Sequence, residues 1–159
     1  MIFQKSACIE TLYTELPFLE RFRAARADGF EFVEFWSWTD KDLAAVKAAA
    51  DAAGVGISGF NGDAELTRLI GSPYLKVLYD VYHMQLNEGS LCDHIRAYAD
   101  QFGHIHVADA PGRHEPGTGE IHYPAVFAAL EQAGYEGLIG YELFPKTDTQ
   151  TAVRAIMAD

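Results

Sequence analysis

Short β-branched or aromatic runs alternate along the chain with amphipathic segments that close on glycine, and this alternation leaves few folds open. Strands joined through helices run parallel, so a series of such units builds a parallel sheet with its helices outside. Phe30 to Trp36 reads as one strand and Val55 to Phe60 as another. Between them, Thr39 is placed to cap a helix whose apolar Leu43, Val46 and Ala50 share a face and which ends at Gly54. An earlier helix is expected from near Thr14, with Pro17 tolerated in its first turn, Leu16, Leu19 and Phe22 buried, and Gly29 as its stop.

The second half repeats the scheme. Strands are expected over Leu75 to Tyr82, His104 to Asp109 and Leu138 to Leu143, with helices around Leu91 to Gln101, from Pro124 to Ala133, and from about Thr149 onward. Pro124 suits a first helical turn and Gly134 a C-terminal stop. With a segment near Ile2 to Ile9, the pattern gives about six strands in one α/β domain spanning residues 1–159. No linker, repeat or low-complexity tract divides it.

Charge narrows the partners. The chain has 23 acidic and 12 basic residues, a formal charge of −11, and its Lys and Arg are scattered rather than gathered into a stripe. Such a balance repels phosphate backbones and anionic lipid heads, so neither nucleic acid nor membrane is an expected partner. Met1 to Cys8 lacks the pattern of a signal peptide, and no apolar run approaches the roughly 20 residues of a membrane span. A cytoplasmic location is expected, with Cys8 and Cys92 as reduced thiols.

In strand-helix folds the loops at the carboxyl ends of the strands converge, and ligands bind there. Three such ends carry suitable groups: Asp80 after Val77-Leu78-Tyr79, His106 in His104-Ile105-His106-Val107, and Glu142 after Ile139-Gly140-Tyr141. Two carboxylates and one imidazole make a mixed oxygen and nitrogen set, which suits Mg²⁺, Mn²⁺ or Co²⁺ better than it suits a structural zinc, an ion usually bound by thiolates. Each group also has an ordinary role open to it. Asp80 can cap a helix and His106 can be hydrogen-bonded in place, but a charge at Glu142 within an apolar strand is costly to bury without a partner. The loop from Ala110 to Glu120 follows the His106 strand; its Arg113 can hold a carboxylate or diol, and its glycines let backbone approach a ligand. His83 could bond a substrate hydroxyl or merely cap its strand.

These residues also carry a family resemblance. Asp80-Val81-Tyr82-His83, Gly103-His104-Ile105-His106-Val107-Ala108-Asp109, the run Pro111-Gly112-Arg113-His114-Glu115-Pro116-Gly117-Thr118-Gly119-Glu120-Ile121, Gly134-Tyr135-Glu136-Gly137 and Gly140-Tyr141-Glu142 resemble the hydroxypyruvate isomerase and 2-oxotetronate isomerase group of the xylose-isomerase-like TIM barrels. Glu15-Leu16-Pro17-Phe18-Leu19-Glu20-Arg21-Phe22 and Val33-Glu34-Phe35-Trp36 extend the likeness to the N-terminus. The resemblance implies a metal-assisted aldose-ketose isomerisation of a small hydroxy-carbonyl acid, such as hydroxypyruvate to tartronate semialdehyde or a 2-oxotetronate. It implies Asp80, His106 and Glu142 as metal ligands, Glu142 as the acid/base residue, His83 and Arg113 as substrate contacts, and Mg²⁺ or Mn²⁺ as the ion. His106 stands where some members carry Gln, so it matches the epimerase branch of these barrels better.

Length departs from the pattern. Family barrels have eight βα units and about 250 residues, so roughly 100 are missing here. The junction falls near residues 62–66, and the fourth and fifth strands go with it, including a glutamate that would serve as both ligand and base. A reduced TIM-type barrel of about six parallel strands is therefore expected, with loose metal binding and weak activity. Its two open edges invite pairing into a homo-oligomer. The rival readings are a catalytically inactive remnant acting as a binding or assembly module, and a metal-dependent phosphoesterase on the same scaffold, which the acidic charge disfavours.

Overall fold

The computed structural model describes residues 3–37, 40–60 and 76–158. Six parallel strands form one sheet in the order β3-β2-β1-β6-β5-β4: β1 (Lys5–Cys8), β2 (Phe32–Phe35), β3 (Gly56–Phe60), β4 (Val77–Asp80), β5 (Phe102–Val107) and β6 (Leu138–Tyr141). The described helices are α1 (Arg21–Ala27), α2 (Leu43–Ala53), α3 (Val81–Asn87), α4 (Leu91–Tyr98), α5 (Tyr123–Gln132) and α6 (Thr149–Ala158). One hydrophobic core joins them, with Phe22 and Ala25 of α1, Val46 and Ala50 of α2, Val126 and Leu130 of α5 and Val153 and Ile156 of α6 buried alongside Ala7, Val33, Ile105 and Ile139.

The sheet must curl, because its side chains meet across it. Glu34 on β2 and His104 on β5 are three strand steps apart, yet their side chains are 2.6 Å apart. In a flat sheet three steps of about 4.8 Å would separate the two backbones by about 14 Å. Gly140 on the intervening β6 leaves this space open: a Cβ there would lie 2.5 Å from His104 Nε2 and 2.6 Å from both Glu34 carboxylate oxygens. The result is a curled part-barrel whose end strands, β3 and β4, are not paired with each other among the described residues.

Local chemistry moves several boundaries from those expected. The first helix does not begin near Thr14; Pro17 precedes a 3-10 turn at Phe18–Glu20 and α1 starts only at Arg21, which leaves Leu19 exposed. Asp42 caps α2 by accepting from the backbone N–H of Ala44 and Ala45, while the expected cap, Thr39, lies outside the described residues. Leu43, expected on the buried face, is exposed at the start of that helix. The strand expected to reach Tyr82 stops at Asp80, because that residue caps α3. The junction expected near 62–66 also lies outside the described residues. Cys8 and Cys92 are free thiols. No described helix is long and apolar enough to cross a membrane.

Candidate metal and substrate site

Parallel register brings the three expected ligand positions to one end of the sheet. Asp80 pairs with His106 across β4 and β5, His106 pairs with Gly140 across β5 and β6, and Glu142 follows β6 directly. Asp80 does two jobs with one carboxylate. Its Oδ1 accepts from the His83 backbone N–H at 3.1 Å, capping α3, while its Oδ2 lies 3.8 Å from His106 Nδ1. Glu142 Oε2 lies 3.2 Å from the same ring nitrogen, and Trp36 Nε1 donates to Glu142 Oε1 at 2.6 Å. One ligand atom from each of Asp80, His106 and Glu142 falls within 4.8 Å of the other two.

A positive charge already bridges these carboxylates. Arg113 Nη2 donates to Asp80 Oδ2 at 3.3 Å and contacts Glu142 Oε2, and Arg113 Nη1 lies 2.9 Å from His83 Nε2. Its loop is far from a solvated tether. Asp109, wholly buried, accepts backbone N–H groups from Ala110 and Ile121 on Oδ1 and from Gly117 and Gly119 on Oδ2. Glu115 accepts from Lys146 N at 3.0 Å, and Phe144 N donates to Arg113 O at 2.7 Å, tying the loop to the segment that carries Glu142. Arg113 itself takes the left-handed conformation at φ 58°, unusual for a residue with a side chain.

A second carboxylate reaches His106 from the other side. Glu34 Oε1 lies 2.8 Å from His106 Nε2, and Glu34 Oε2 lies 2.6 Å from His104 Nε2. Burial opposes charge on His106, but Asp80, Glu142 and Glu34 outweigh it and push the ring up to about 11. Burial likewise works against the Glu34 carboxylate, and the two histidines overcome it, holding it down at about 2. Asp80 and Glu142 are also held below their ordinary values, burial being outweighed chiefly by His106, with help from Arg113.

A sequence profile described as xylose isomerase-like TIM barrel matches residues 64–158. The chain belongs to that family. Hydroxypyruvate isomerase of Escherichia coli (strain K12) is 40% identical over 104 residues, 65% of this chain and 40% of that protein. A 2-oxo-tetronate isomerase of Pectobacterium atrosepticum is 41% identical over 86 residues, 54% of this chain and 33% of that protein. The chain thus spans well under half the length of these relatives. Among solved structures, an AP endonuclease, family 2 from Brucella melitensis superposes with a TM-score of 0.86 at 21% identity, covering 99% of each chain. A D-psicose 3-epimerase from Clostridium cellulolyticum H10 gives 0.70 at 15% identity, covering 96% of this chain and 90% of that one. At these identities the two structures speak for the fold, a reduced barrel of the xylose isomerase-like kind.

In this family member the sequence-derived candidates come together: Asp80, His106, Glu142, His83 and Arg113 all share contacts at one end of the barrel. The donor set fits a divalent cation, since two carboxylates and an imidazole converge on a point where a guanidinium nitrogen already satisfies their need for positive charge. Glu34, His104, Trp36 and Asp109 were not among the candidates. The signal for Glu34 is the one that marks Glu142, a lone charge in an apolar strand, here Phe32-Val33-Glu34-Phe35.

Proposed function

We propose that this chain is an aldose-ketose isomerase acting on a small 2-oxo hydroxy acid, with hydroxypyruvate or a 2-oxotetronate as substrate. The observation that carries the reading is the convergence of Asp80, His106 and Glu142 beneath Arg113 on one strand-end surface. The names of the two isomerase relatives support the same reaction class and do not favour an inert remnant. The charge of −11 speaks against a nucleic-acid substrate.

Asp80, His106 and Glu142 would hold Mg²⁺ or Mn²⁺, which supplies positive charge to neighbouring carbonyl and hydroxyl oxygens of the substrate. Arg113 binds the substrate carboxylate through its planar fork, and His83, exposed beside it, bonds a hydroxyl. Glu142 removes the proton from the hydroxyl-bearing carbon and returns it to the adjacent carbonyl carbon. One C–H bond breaks and one forms, the hydroxyl proton passes between the two oxygens, and the alcohol carbon is oxidised as the ketone carbon is reduced. No outside oxidant is needed. Trp36 holds the Glu142 carboxylate in place through Oε1. Three protein ligands, Asp80, His106 and Glu142, would hold such an ion loosely, and turnover would be slow.

Glu142→Gln keeps the shape and the Trp36 hydrogen bond but removes the base. Its turnover of hydroxypyruvate in the presence of Mn²⁺ should fall by about 10²–10⁴-fold. Wild-type turnover in that variant would overturn the assignment.

A further inference from the structure

Neither the ligand set nor the substrate contacts call for Glu34, yet it is a charged group only 4% exposed in the middle of β2. Its Oε2 is anchored by His104 Nε2 at 2.6 Å and by the Ser58 hydroxyl, which donates at 3.4 Å. Its Oε1 is paired with His106 Nε2 at 2.8 Å, and no other hydrogen bond reaches it among the described residues. A buried carboxylate oxygen is costly without a partner, and here that partner is the far nitrogen of a proposed ligand. Space has been kept for the arrangement, since any side chain at Gly140 would strike both Glu34 oxygens and His104.

The two nitrogens of His106 face opposite ways. Nδ1 looks toward Asp80 and Glu142, and Nε2 toward Glu34. We infer that Glu34 is the positioning residue of the site: it holds the Nε2 edge of His106 so that Nδ1 is presented to a divalent cation between Asp80 and Glu142, while His104 and Ser58 hold Glu34. This rests on the ligand set proposed above. An outer carboxylate of this kind places the hydrogen on the far ring nitrogen, leaves the near one free to coordinate, and makes it a better donor.

The test is calorimetric titration of the full chain with Mn²⁺, comparing wild type, Glu34→Gln, Gly140→Ala and Asp80→Asn, with thermal melts alongside. Glu34→Gln is nearly isosteric and removes the charge; it should weaken Mn²⁺ by about 10–100-fold while keeping a single site and a cooperative melt, at a lower midpoint than wild type because the ion pairs with His104 and His106 are lost. Gly140→Ala keeps the carboxylate but displaces it, so it should weaken Mn²⁺ in the same direction and serves should Glu34→Gln fail to fold. Asp80→Asn should lose saturable binding. Wild-type affinity in Glu34→Gln overturns the positioning role and leaves the ligand set standing. Loss of all binding in Glu34→Gln with Asp80→Asn intact places the ion on Glu34, His104 and His106 instead and overturns the inference. A wild type that takes up no Mn²⁺ removes the ligand set itself, and the role of Glu34 with it.

Discussion

His106 touches three carboxylates, and its pH behaviour follows from them. Its charged form is favoured on folding, so the stability it contributes is fully present below its unfolded value near 6.5 and is lost as pH rises toward about 11. Glu34 has the opposite sign. Its folded value is depressed, so its contribution is present above about 4.5 and is lost as pH falls toward about 2. Urea unfolding of the metal-free protein should therefore show a plateau that declines on both sides, and Glu34→Gln should flatten both limbs. A decline on the alkaline side that survives in both Glu34→Gln and His106→Gln would show that other groups set it. At this scale Asp80, His106 and Glu142 were legible because polar groups stand out at the ends of apolar strands. Glu34 carries the same lone-charge signal, but its role is not legible in the sequence, because its partners His104 and His106 lie three strand steps away in a direction that only the sheet order defines.

The loop between β5 and α5 shows how an element can be built around one side chain. Asp109 replaces a ladder of backbone bonds, taking four N–H groups on two oxygens. Asp109→Ala should leave these donors without their acceptor and cost at least about 2 kcal/mol in urea unfolding. It should also raise KM for hydroxypyruvate by releasing Arg113, whereas an unchanged KM would mean that the loop holds its shape by other contacts. The alternation of strands and helices was plain in the sequence, and Gly54 ends α2 in the left-handed conformation as expected. Boundaries were less plain. Val77 to Tyr82 is a run of β-formers interrupted only by Asp80, and the strand ends there because Asp80 takes the capping role that the sequence left open beside a ligand role, accepting from His83 N.

Across the whole molecule the sheet order places β3 and β4 at its two ends, and Ile57, Val77 and Leu78 on those strands are exposed. Unpaired edge strands of this composition pair readily with another chain, so sedimentation at micromolar concentration should report a homodimer or larger assembly. A compact monomer would reject self-association without touching the site. The order of the strands was deducible from the family ring once two strands were taken out, but whether the part-barrel assembles a working site depends on curl, which no pattern of residues states. The most direct test is deuterium exchange. Hydroxypyruvate incubated in D₂O with Mn²⁺ and the wild-type chain, followed by NMR, should exchange its carbon-bound hydrogen and yield tartronate semialdehyde faster than buffer or Glu142→Gln does. Exchange and product formation no faster than in buffer would contradict the account.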